Sequence, residues 1–131
     1  MNDDDYVQAF MDGSLPPGQF HHRDHLRLAW LLIRRLDVEL AGIALASGIQ
    51  QFAARHGHAG KYHETLTQFW VRIVGHMVDM RPDITDFETF ITTFPQLLDK
   101  GLPHRHWKRE TMGSATARAR WVEPDLLALP L

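Results

Sequence analysis

Nine histidines in 131 residues are about three times what average usage would supply, and there is no cysteine. Any metal or acid–base chemistry must therefore be built on imidazole, carboxylate or phenol, since thiolate sites, disulfides and cysteine nucleophiles are excluded. Three histidines stand out by spacing. His22 and His25 are three apart, so on a helix they lie about 60° apart around the axis. Both fall on a stripe that continues through Leu26, Ala29, Leu32 and Ile33. His63 leads a second stripe, Leu66, Trp70, Ile73 and Met77. Three inward imidazoles at one level would suit zinc, nickel or iron. Glu64, next to His63, is the candidate base, though it lies about 100° away around the helix. If the chain is an enzyme, the chemistry implied is metal-assisted hydrolysis or another Lewis-acid reaction.

The elements that would position these residues follow from periodicity and end signals. A short helix is expected over Asp3–Met11, with aspartates at its positive end and Gly13 as its stop. A second runs over His22–Arg35, capped by His21 or Phe20. A third starts at the cap Asp37 and reaches His56, with Ile43, Leu45, Ile49 and Phe52 as its buried stripe and Gly57 as its stop. Gly42 and Gly48 inside it cost roughly 1 kcal/mol each against alanine, which points to close helix contacts there. A fourth is expected over Tyr62–Met80 and a fifth over Asp86–Phe94, ended by Pro82 and Pro95. Short helical turns near Leu97, near His106 and over Ser114–Arg120 follow, then an extended tail from Trp121 draped over the core. No run alternates with period two, and no linker divides the chain. The expected fold is all-α: one helical domain, a compact bundle with up-down-up core helices.

Short loops between the second, third and fourth helices bring the first turns of the second and fourth to the same end. Side chains lean toward a helix N-terminus, which tips all three rings toward the bundle mouth. Arg55 and His56, ending the third helix, should arrive there too. Two helix N-termini favour an anion over a cation at that mouth, although they also keep histidine neutral. A small phosphate or carboxylate held by these histidines and Arg55, with Tyr62 and Phe20 beside it, therefore competes with a metal. So does a purely structural role, in which the rings are hydrogen-bonded core residues or Phe20 stacks on His25 as a variant hydrophobic staple.

The segments FHHRDHLRLAW (Phe20 to Trp30), KYHETLT (Lys61 to Thr67) and WVEPDLLALPL together resemble small bacterial all-helical proteins of unknown function. Their pattern is FxHxxHLxxAW, then KYHET, then a tail near PDLxPLP. The resemblance covers most of the chain. It implies Phe20, His22, His25, Tyr62, His63 and Glu64 as positions of interest and implies no established activity; the tail departs from it at Ala128 and Leu129. A looser similarity links the chain to DinB-like bundles, which bind metal through three histidines, but the histidine order here differs from theirs.

Other signals are weaker. HETLT begins like the zinc-protease motif HExxH but has Thr67 at the second ligand position. HRHWKR (His104 to Arg109) is basic, yet the chain carries a formal charge of −2 and matches no nucleic-acid motif. A solvated face pairing with the acidic N-terminus is the expectation, with no nucleic-acid partner. Trp30 and Trp70 read as core, while Trp107 and Trp121 read as anchors for the tail. No apolar run approaches membrane-span length, and the acidic start lacks a signal-peptide pattern, so a cytoplasmic protein without a membrane partner is expected.

Overall fold

A computed structural model describes residues 2–131. Among these there are seven α-helices and no strand: α1 (Asp3–Asp12), α2 (His22–Arg35), α3 (Val38–Arg55), α4 (Glu64–Met80), α5 (Phe87–Thr93), α6 (Arg109–Met112) and α7 (Ala115–Ala119). Helices α2, α3 and α4 pack on one another pairwise and form the body of the bundle. No helix is long and apolar enough to cross a membrane among the described residues.

Local chemistry accounts for most boundaries. Asp24 accepts a hydrogen bond from the backbone N–H of His21 at 2.8 Å, which fixes the start of α2. Asp37 accepts from Leu40 N–H at 2.7 Å and starts α3 only two residues after α2 ends. Gly13 closes α1 in the left-handed conformation, φ 78°, where a side chain would be strained. Gly48 is buried because the Phe10 ring of α1 lies where a Cβ would stand.

Three expectations need correction. Helix α4 starts two residues later than its periodicity suggests, because Tyr62 and His63 are extended and His63 is the N-cap. Ile43 is 61 % exposed: the buried face of α3 runs through Ala41, Leu45 and Gly48, and Ile43 lies about 200° from Leu45. The acidic N-terminus does not meet the basic segment. It packs beside α2, where Asp3 pairs with Arg27 at 2.7 Å and Asp4 with Arg35 at 2.6 Å.

The chain after α5 forms a strap over α4. Trp107 is fully buried and donates its indole N–H to Val122 C=O at 3.1 Å. His106 is buried beside Phe69, donates from Nδ1 to Leu127 C=O at 2.8 Å, and accepts the Leu126 N–H on its own carbonyl. The Thr65 hydroxyl donates to Ala117 C=O at 2.7 Å and accepts Val122 N–H at 3.3 Å. The tail is thus held by side-chain bonds to an otherwise irregular backbone, as a buried irregular segment requires.

Candidate functional site

A chamber of about 220 Å³ opens between α2, α3 and the start of α4. Leu45, Ile49, Leu66 and Trp70 form its apolar wall, and His25, Lys61, Tyr62, His63 and Thr67 complete it. Residues from the first turn of α2, the middle of α3 and the first two turns of α4 share this one space, as the up-down-up topology requires.

The three histidines divide there. His63 accepts the Leu66 N–H on Nδ1 at 3.1 Å, so its proton resides on Nε2, which donates to the buried Met112 C=O at 2.6 Å. Both ring nitrogens are therefore engaged, one capping α4 and the other gripping the strap. His22 points away from the chamber. Its Nε2 donates to Leu97 C=O at 2.8 Å and its ring meets Trp70 edge-on at 4.5 Å. Burial holds the His22 pKa below its usual range.

His25 faces the chamber with no protein group bonded to its ring. Burial, aided by neighbouring His22, pulls its pKa down to about 4 against an opposing effect of Asp24. The ring is neutral near pH 7 and offers one donor and one acceptor. Phe20 backs it from outside the chamber at 4.1 Å between centroids, the N′–N4 staple geometry expected for a helix capped at His21. The stack continues through Phe52 (4.3 Å from Phe20) to His56 (4.5 Å from Phe52). The end of α3 thus does reach this end of the bundle. Among the described residues, the His56 Nε2 atom is buried without a partner.

Arg55 lies elsewhere, its guanidinium over Gly13 at the negative C-terminal end of α1. Tyr62 lines the chamber on one side and, on the other, an open cleft of about 670 Å³. Its hydroxyl donates to Glu64, and burial together with that carboxylate raises the phenol pKa. Glu64 faces the cleft and not the chamber, with Ser47, Gln50, Gln68 and Arg118 around it. As ligands for one ion, His63 would have to surrender its cap or its strap bond, and His22 would have to turn from Leu97. Among the described residues, no group of three or more His, Cys, Asp or Glu is arranged to hold a metal.

Sequence reasoning missed Lys61, Thr67, Trp70 and Arg118 as lining residues. Thr67 carried a usable signal: it is one turn after His63 on the same face, and its hydroxyl donates to the His63 carbonyl at 2.9 Å. Trp70 lies on the same stripe and is only partly buried, because the chamber opens beside it. Comparison with protein-family models, curated proteins and solved structures returns no match to this chain.

Proposed function

We propose that the chamber binds a small organic molecule whose buried part is compact, apolar and uncharged and ends in one hydrogen-bonding atom that meets His25. The observation that carries this reading is the His25 ring, which lines an otherwise apolar chamber and is bonded to no protein group. The ring is part-buried and its free edge opens onto the chamber, so a ligand atom placed there gains a hydrogen bond that no protein group supplies, worth about 0.5–1.5 kcal/mol net. The chamber lies below the ~300–1,000 Å³ typical for drug-sized ligands, which limits the buried part to a small group. Its one full cation, Lys61, is exposed at the rim. Any charged group of the ligand therefore stays at the mouth.

The test is nuclear magnetic resonance of the histidine ring protons during titration with phenol, indole and 3-methylbutanol, alongside zinc, nickel and iron(II) in separate samples. The reading predicts saturable movement of His25 with at least one organic probe and loss of binding in His25→Phe. Movement of no His25 resonance with any organic probe would reject it. Stoichiometric metal binding abolished by each of His22→Ala, His25→Ala and His63→Asn would establish the three-histidine metal site in its place.

A further inference from the structure

Glu64 and Arg118 line the same cleft, and neither forms an ion pair with another side chain among the described residues. The Tyr62 hydroxyl occupies only Oε1 of Glu64, which leaves Oε2 available. Arg118 is exposed with its planar fork toward no carboxylate. The cleft is therefore lined by one free anion and one free cation. Tyr62 separates it from the chamber, and Lys61 adds a second cation on the chamber side of that ring.

The charges discriminate between ligand classes. A neutral head group would leave Glu64 and Arg118 both without a counter-charge. A simple anion would satisfy Arg118 but face the Glu64 carboxylate, and a simple amine would do the reverse. A head group with both signs satisfies both: the guanidinium fork takes a carboxylate bidentately, whereas a phosphate dianion would bring a second negative charge beside Glu64.

Resting on the chamber reading above, we infer that cleft and chamber are two halves of one site for an α-amino-acid-like zwitterion. Its ammonium lies on Glu64, its carboxylate on Arg118 with Lys61 nearby, and its side chain passes Tyr62 into the chamber toward Leu45, Ile49, Leu66 and Trp70. The apolar wall selects a largely apolar side chain and His25 one that ends in a hydrogen-bonding atom, such as a thioether, a phenol or an indole; Tyr62, which lines both spaces, is the divider that this side chain passes.

Isothermal titration tests this with L-tyrosine, L-methionine and L-tryptophan, together with 3-(4-hydroxyphenyl)propanoate and tyramine, which each keep the tyrosine side chain and one charge. At least one amino acid should bind, and for tyrosine each one-charge analogue should bind about tenfold or more weakly, since a charge-assisted bond contributes roughly 1.5–3 kcal/mol. Glu64→Gln should weaken the amino acid and the amine but not 3-(4-hydroxyphenyl)propanoate. Arg118→Gln should weaken the amino acid and the acid but not the amine. Equal affinity for the amino acid and both analogues, or equal losses for all three in Glu64→Gln, would overturn the zwitterion assignment. In that case the uncharged probes would still move His25. If those probes and the amino acids all leave His25 unmoved, the chamber reading fails with it.

Discussion

The two ends of the site region treat imidazole in opposite ways. On the strap side, His63 and His106 are nearly closed off from solvent, and each is tied to a distant backbone carbonyl, Met112 or Leu127. His63 also caps a helix with its other nitrogen. On the α2 side, His25 is packed against Phe20 yet bonded to nothing, and the space in front of it is open. The same residue type thus holds the chain together in one place and leaves a hydrogen-bonding edge without a protein partner a few side chains away. Burial alone does not separate these two kinds of histidine. The fate of the two ring nitrogens does.

The strap should fail first if its interior is cut. Trp107 is fully buried, meets Phe69 and Trp121 edge-on, and holds Val122 through its indole N–H. Trp107→Ala is expected to cost about 3–5 kcal/mol, a large part of the stability of a domain this size. Urea unfolding followed by circular dichroism measures it. A loss below about 1 kcal/mol would show that the strap contributes little to holding the bundle.

The contrast between His63 and His25 is sharpest in paired substitutions. His63→Ala removes an N-cap, about 1 kcal/mol, and leaves the Met112 carbonyl buried and unpaired, about 1–3 kcal/mol more. His63→Asn restores the cap acceptor but not the reach to Met112, so it should recover about 1 kcal/mol. His25→Phe keeps the stack on Phe20 and removes an unpartnered polar edge, so near pH 7 it should change stability by less than about 1 kcal/mol. Equal losses at the two positions would erase the distinction drawn here.

Acid should expose the same difference as a pH dependence. The folded pKa of His25 is about 4 against an ordinary 6.5, so between these values the unfolded chain binds more protons. Stability is therefore full above about pH 6.5 and falls as pH drops toward 4, by roughly 3 kcal/mol from this group over the whole window. His22, lowered by burial, acts in the same direction. Urea midpoints across that range should slope downward with acid in the native protein. In His25→Phe the slope should be shallower, with the His22 share left. An unchanged slope in that variant would mean that His25 is not held neutral by burial.

Periodicity and most end signals were legible in the sequence; the distant partners of the histidines were not. Helix α2 was readable at both ends because Asp24, the apolar stripe and the closing Arg34 and Arg35 all lie within it. The convergence of α2 and α4 followed from short loops. The start of α4 was misplaced because histidine is an uncommon cap, and KYHET reads equally well as a first turn. That shift of two residues is what turns His63 from a free ring on a stripe into a cap. Its partner Met112 lies 49 residues away and the Leu97 partner of His22 lies 75 away. Both are backbone carbonyls in irregular chain, and no periodicity signals them. Ile43 misled for a related reason: α3 is apolar on more than one face, and small residues (Ala41 and Gly48) rather than large ones mark the buried side.

The smallest expected effect tests how the strap edge is held. The Arg72 guanidinium lies 3.7 Å from the centre of the Trp121 ring, and Trp121 in turn packs edge-on against Trp107 at 5.5 Å. Both Arg72 and Trp121 are partly open to solvent, so the cation–π contact is screened and contributes about 0.5–1 kcal/mol. Arg72→Gln should lower stability by that amount and Arg72→Lys by less, since the ammonium keeps the charge but loses planar stacking. In a double cycle with Trp121→Leu the two losses should fail to add, because they remove one contact. Additive losses would instead place the role of Arg72 outside the ring contact. The strap would then be held by the buried bonds of His63, Thr65, His106 and Trp107, and the contrast with the open mouth at His25 would become sharper.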